Sequence, residues 1–277
     1  MLSGQQVKNN QNNPDFVKRL PTATSRLELN QTKVKAFKNL DIRKAFSLAI
    51  DRQQLTKNVL QDGSEPAKGF VPANMGNNPK TGQAFNDEAS VPSAVAYNLD
   101  QAKSLLKKGY TQTGVKKLNL TLLVSDTDSS KDTAEFLQSS LEKLPGVKVT
   151  ISSIPFVQLI SRQAAKNYQM TVQSWQSVFA DPINYLDVYE KGASYNTSGY
   201  ESAKFDKLLS ESEDQNANQP EKRWQNLVAA EKVLMNDQGT VPLYQSTQSQ
   251  LIRSNVKGIV YNPAGVPFDW KTTYIKN

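Results

Sequence analysis

Between residues 118 and 176 the spacing of apolar side chains switches back and forth between period two and helical spacing, which restricts the fold more than any other stretch. Leu118, Leu120, Leu122 and Val124 alternate as on a strand with one buried face. Ala134, Leu137, Leu141 and Leu144 then recur along one side of a helix that Pro145-Gly146 ends, and Val147, Val149 and Ile151 alternate again. Pro155 opens a second helix bearing Phe156, Leu159 and Ile160, and a third strand runs from Tyr168 to about Gln176 through Met170 and Val172. This β-α-β-α-β order predicts an α/β fold with a parallel core, because such crossovers are right-handed and return the chain in the same direction. Open sheets of this kind bind ligands beyond the carboxyl ends of their strands.

That rule draws attention to "SWQSVFADPINYL", Ser174–Leu186, which begins where the third strand ends. Trp175, Phe179 and Tyr185 surround one Asp181-Pro182 pair. A core segment, a catalytic site and a ligand clamp are all compatible with the pattern. Composition narrows the chemistry: with no histidine and no cysteine, the chain lacks the commonest general base, the commonest transition-metal ligand and all thiol chemistry. No cofactor and no metal are expected. The net charge of +7 comes from Lys and Arg scattered in ones and twos among acids, which describes a solvated surface and not a nucleic-acid stripe.

A chain of 277 residues with 38% hydrophobic side chains is long enough for one large domain or two small ones. Residues 1–26 are rich in Asn and Gln, hold Pro14 and Pro21, and read as loop or short helix without a core, ahead of a strand around Leu27–Leu29. Ile42, Ala45, Phe46, Ala49 and Ile50 lie at helical spacing, and Asp51 with Gln54 caps a following helix. Residues 61–97 carry too many Gly and Pro for regular structure and predict a long ordered loop. Asn98 caps a helix for which Gly109 is the expected stop. "SAKFDKLLSESE" and "PEKRWQNLVAAEKVLMNDQG" predict two amphipathic helices, the second opened by Pro220 and closed by Gly239. "VPLYQSTQSQLIR" reads as a strand before a Gly/Pro-bearing tail. The start has neither the apolar run nor the cleavage site of a signal peptide, as expected of a chain cut from a longer one, and no run approaches the ~18 apolar residues of a membrane span.

Two short motifs invite an enzymatic reading. Ser104-Leu-Leu-Lys107 matches the S-x-x-K of serine β-lactamases and Lys80-Thr81-Gly82 their K-T-G, but the order is reversed and S-D-N is missing. A serine hydrolase using Ser104 and Lys107 is therefore a remote alternative. "DTDSSKDTAEFL" begins like a calcium loop, yet Lys131 replaces the Gly and Leu137 the closing Glu, so a helix-capping loop is expected there.

Seven stretches, in order, resemble the peptide/nickel-binding branch of ABC-transporter solute-binding proteins, of the Gram-positive oligopeptide-binding type: "LSGQQVKNN", "LDIRKAFSLAIDRQQL", "GFVPANM", "YNLDQAKSLLKKGY", "KFDKLLSES", "EKRWQNLVAAEKVLMNDQGTVPLY" and "VKGIVYNPAGVPFDW". The resemblance runs almost end to end and implies the second lobe of a two-lobe, periplasmic-binding-protein-like fold. Residues 1–240 would form that lobe, and residues 241–277 a tail that returns to the first lobe. It implies a non-enzymatic, monomeric protein on the extracellular face of the cell membrane, lipid-anchored upstream of Met1. Its partners would be oligopeptides and the permease subunits of an ABC transporter, with no nucleic acid. An adhesin or a signal-peptide (pheromone) receptor of the same fold is the alternative. The family's G-W-x-x-D-Y-x-[DE]-P strand end pairs with the peptide backbone, and its first acid meets the peptide's ammonium group. Here Ser174 stands at the Gly, Trp175 at the Trp, Val178 at the first acid and Asp181-Pro182 at the second acid and Pro. The implied peptide-binding residues are thus Ser174, Trp175, Gln176, Val178 and Asp181. Either Asp181 replaces the missing amine anchor, or the peptide's amine is not recognised. Side-chain pockets are expected to be roomy and without sequence preference.

Overall fold

The structure, a computed structural model, describes Leu2 and residues 4–276; Met1, Ser3 and Asn277, at the ends of the opening segment and the tail, lie outside the described residues. In chain order the strands that build the fold are β1 (Phe16–Arg19), β2 (Ala23–Leu29), β3 (Glu65–Pro66), β4 (Leu118–Ser125), β5 (Val147–Ile154), β6 (Met170–Gln176), β7 (Val241–Gln245) and β8 (Gln248–Leu251). The longer helices are α1 (Leu40–Leu48), α2 (Leu99–Thr113), α3 (Asp128–Leu141), α4 (Phe156–Ala164), α5 (Ala203–Glu213) and α6 (Pro220–Asn236).

The expected β-α-β-α-β unit is present as β4-α3-β5-α4-β6. β4 pairs in parallel with β5 from Leu118↔Val147 to Ser125↔Ile154, and with β6 at Leu122↔Met170 and Leu123↔Thr171. Three further strands extend it into one mixed sheet of order β3-β7-β2-β6-β4-β5, in which β2 is antiparallel to both β6 and β7. Long ordered loops complete the lobe.

β2 corrects the reading of residues 1–26 as a coreless segment. The helix Gly4–Asn10 and β1 occupy its first part, and all seven residues of β2 are buried in the middle of the sheet. Alternation divides β2 between two cores. Leu27 and Leu29 join the core of Phe46, Leu122 and Leu137, whereas Arg26 and Glu28 enter the side holding Phe70 and Tyr189. Arg26 Nε lies 2.6 Å from Glu28 Oε1, Tyr189 bonds both, and the guanidinium sits 5.0 Å from the Phe70 ring centroid. Burial disfavours the charged Arg26, but Tyr189 and Glu28 more than offset it and its pKa moves up. A central strand can carry such polar residues because each has a partner across the fold.

The expected helix stops at Gly109 and Gly239 fall elsewhere. α2 continues to Thr113 and ends at Gly114, whose φ of +72° is the left-handed cap. Gly109 instead lets α1 and α2 touch: a Cβ there would lie 2.5 Å from Ile42 Cγ1. α6 ends at Asn236, Gln238 takes the left-handed turn at φ +45°, and Gly239 N–H donates to Leu234 O at 2.9 Å. The Asn98 cap and Pro220 at the first turn are as expected.

The single strand expected over "VPLYQSTQSQLIR" is two. β7 lies inside the sheet between β2 and β3, and β8 turns back to pair with β1. The segment 61–97, expected to lack regular structure, holds β3 and two short helices, Phe85–Glu88 and Pro92–Val95, and is fixed by buried Glu231, whose Oε1 accepts from Phe70 N at 2.6 Å and Val71 N at 3.3 Å. Burial pushes that carboxyl up to about 7 against these two bonds.

Candidate functional site

β6 is hydrogen-bonded to β2 along its whole length but leaves β4 after Thr171. The phase of the β2 ladder is set at its two ends, where Ser177 N–H donates to Thr22 O at 3.1 Å and Asn30 N–H to Gln169 O at 3.0 Å. Antiparallel ladders alternate, so the odd-numbered residues of β6 direct their backbone groups to β2. The N–H and C=O of Ser174 and Gln176 therefore point to the other edge, which no strand covers among the described residues. On that edge Gln163 Nε2 donates to Val172 O at 3.3 Å, closing the end nearer β4.

A groove of about 600 Å³ runs beside this part of β6. β4 contributes Val124 and Ser125 at its carboxyl end, α3 the first-turn residues Ser129 and Ser130, and α4 Phe156, Leu159 and Ile160. Ser125 Oγ is buried and unpartnered. Trp175 is held by its Nε1–H bond to Asn184 O at 2.7 Å and meets Tyr195 edge-on with 4.8 Å between centroids. Ser174 Oγ lies 2.7 Å from Ser25 Oγ, as expected of side chains facing across a non-hydrogen-bonded pair. Among the described residues the only charged one on the lining is Arg26, already paired with Glu28.

The Ser174–Leu186 stretch therefore divides by role. Ser174 and Trp175 line the groove, Gln176 continues the free edge, and Tyr185 is fully buried core whose hydroxyl accepts from Thr24 N at 3.2 Å and sits 2.8 Å from Trp175 O. Val178 is 67% exposed beyond the strand, its N–H donating to Asn184 Oδ1 at 2.8 Å. Neighbouring Ser177 O accepts from the tail's Gly265 N at 2.9 Å. Asp181 is not part of the groove. Its carboxylate makes a two-point pair with Arg223 at 2.8 and 2.9 Å, accepts from Ile183 N at 3.0 Å, and borders a separate hollow with Pro79 and Trp224.

Sequence reasoning placed Phe156 and Ile160 on a helix without assigning them to the site, and missed Tyr195. The available signal was the crowding of "IPFVQLI", where apolar residues occupy more of α4 than one buried face needs. Tyr195 gives no periodic signal. Ser104 and Lys107 are exposed on α2 and make no hydrogen bond to each other. No cluster of potential metal ligands occurs among the described residues, and no helix is long and apolar enough to cross a membrane.

Residues 2–197 match the profile of the bacterial extracellular solute-binding proteins, family 5, middle region. Among curated proteins, a dipeptide-binding protein of Bacillus subtilis, DppE, is 30% identical over 230 residues, covering 83% of this chain and 41% of its own length. The Bacillus subtilis oligopeptide-binding protein OppA is 28% identical over 250 residues, 88% of this chain and 44% of its own. Among solved structures, the pheromone receptor PrgZ is 34% identical with a TM-score of 0.88, and peptide-bound OppA of Listeria monocytogenes is 29% identical with the same score. Each of these structures covers all of this chain, which in turn accounts for 53% of them. The chain spans about two-fifths of the length of the curated relatives and half that of the solved ones.

Proposed function

This chain belongs to the bacterial extracellular solute-binding proteins of family 5, and from that we propose that it supplies one wall of a peptide-binding cleft. The carrying observation is the free edge of β6, where Ser174, which lines the groove, and Gln176 beyond it present backbone donors and acceptors. An extended peptide added to that edge gains main-chain hydrogen bonds whatever its sequence. Trp175, braced by Asn184 and Tyr195, stands beside the added strand.

Residues 1–240 form the second lobe in this reading, and the tail contributes β7 before leading toward the first lobe, which closes the cleft. The captured oligopeptide passes to the permease subunits of an ABC transporter. The protein acts without catalysis, as a monomer held by a lipid anchor at the extracellular face of the membrane. The two named peptide-binding relatives support the ligand class. The similarity to PrgZ favours, as second reading, a receptor for signalling peptides using the same edge.

Native mass spectrometry of the full-length protein tests the ligand class. A retained mass that fragments as a peptide is expected; a retained sugar, metal chelate or other non-peptide would contradict the proposal.

A further inference from the structure

The groove beside β6 has an apolar wall that no packing requirement explains. Phe156 and Ile160, one turn apart on α4, are 61% and 47% exposed, while buried Leu159 and Gln163 anchor the helix and leave those two to solvent. Tyr195, 61% exposed, continues the apolar surface from Trp175. The remaining side chains of this region are mostly small hydroxyls, including Ser125, Ser129 and Ser130. Among the described residues no carboxylate lines the groove, and its one cation, Arg26, is 2% exposed, bonded through Nε and Nη2 to Glu28, Tyr189 and Gln173, with Nη1 buried and unpartnered.

We infer that this groove selects peptides bearing a bulky, uncharged apolar side chain at the position lying against Phe156 and Ile160, which are specificity-determining residues. The inference rests on the peptide-binding reading above and departs from the expectation of pockets without preference. A Leu or Phe side chain removes water from the exposed wall on binding, whereas a Lys or Glu side chain loses its own hydration and finds no counter-ion. Alanine leaves the wall wet and forgoes the gain without incurring the loss.

The test is isothermal titration of the full-length protein with alanine pentapeptides carrying Leu, Phe, Lys or Glu at each position in turn, repeated on Phe156→Ser and Ile160→Ser. Both side chains are exposed, so the variants should unfold at the parent's temperature. At one position Leu and Phe should bind at least about tenfold more tightly than Lys and Glu. Each variant should cut that ratio severalfold by weakening Leu and Phe peptides more than it weakens the all-alanine peptide. A ratio near one at every position, or variants that weaken all peptides alike, would overturn the selectivity while leaving peptide binding intact. Failure of every peptide to bind would overturn both.

Discussion

Asp181 and Arg223 hold each other through two hydrogen bonds, at 2.8 and 2.9 Å, across 42 residues of sequence. The pair ties the turn before the short helix Ile183–Leu186 to the start of α6, and the same carboxylate accepts from Ile183 N two residues on. Asp181 thus has a structural occupation outside the groove. Each side chain is about a third exposed, at 31% and 27%, so solvent screening limits the ion pair to about 0.5–1 kcal/mol, with the bond to Ile183 N adding about 1 kcal/mol. Asp181→Ala should lower the stability of the protein by about 1–2 kcal/mol in urea unfolding and change peptide affinity less than twofold. A tenfold loss of affinity with stability intact would place Asp181 on the ligand.

With Asp181 engaged and Val178 apolar, no carboxylate of the 174–181 stretch is available to a peptide's ammonium group. Acetylating the N-terminus of a bound peptide should therefore cost the full-length protein less than about tenfold in affinity, or 1.4 kcal/mol. Paired titrations with one peptide, free and acetylated, check this. A larger loss would reveal an amine anchor elsewhere in the cleft.

Gly109 and Gly114 separate two reasons for glycine on one helix. At Gly109 an added methyl would meet Ile42 Cγ1 at 2.5 Å and Asn39 Oδ1 at 2.9 Å, and overpacking of about 1–3 kcal/mol outweighs the helix-propensity gain of about 1 kcal/mol. At Gly114 nothing lies within 4 Å, and the penalty comes from φ +72° alone. Both alanine variants should lower the urea midpoint. Only Gly109→Ala should be partly rescued by Ile42→Ala, which removes the clashing Cγ1 itself, and a double-mutant cycle will read that coupling directly.

Glu231 makes stability depend on pH. Its pKa is raised by burial to about 7 from the ordinary 4.5, so the folded protein keeps a proton that the unfolded chain has released between those values. Stability from this group is complete below about pH 4.5 and falls as pH rises through about 7, by an amount on the order of 3 kcal/mol. Asp187, raised by burial to about 6, acts in the same direction. Urea unfolding at pH 5 and pH 8 should show the decrease, and Glu231→Gln should remove most of it. An equal decrease in the variant would contradict this role for Glu231.

The parallel unit was legible because Leu118, Leu120 and Leu122, like Val147 and Val149, each need one buried face. β2 was not, since "ATSRLEL" buries Thr24, Ser25, Arg26 and Glu28 as fully as its leucines, and the partners of Arg26 and Glu28, Tyr189 and Gln173, lie over 140 residues away. Local pattern cannot announce a polar strand whose satisfaction is tertiary. The same limit shifted the α2 stop: Gly109 looks like punctuation in sequence, and only the crossing with Ile42 explains it. At the site, the strand end at Ser174 and Trp175 followed from topology. The wall of Phe156 and Ile160 did not, because an exposed apolar helix face reads in sequence as core.

The account depends on a ligand strand hydrogen-bonding to the free edge of β6 at Ser174 and Gln176. The most direct measurement is a backbone N-methyl scan of one tightly bound peptide against the full-length protein by calorimetry. Antiparallel or parallel addition directs alternate ligand N–H groups to the edge, so affinity should fall about tenfold or more at every second position and stay nearly unchanged between them. A uniform, position-independent response would contradict strand addition at β6.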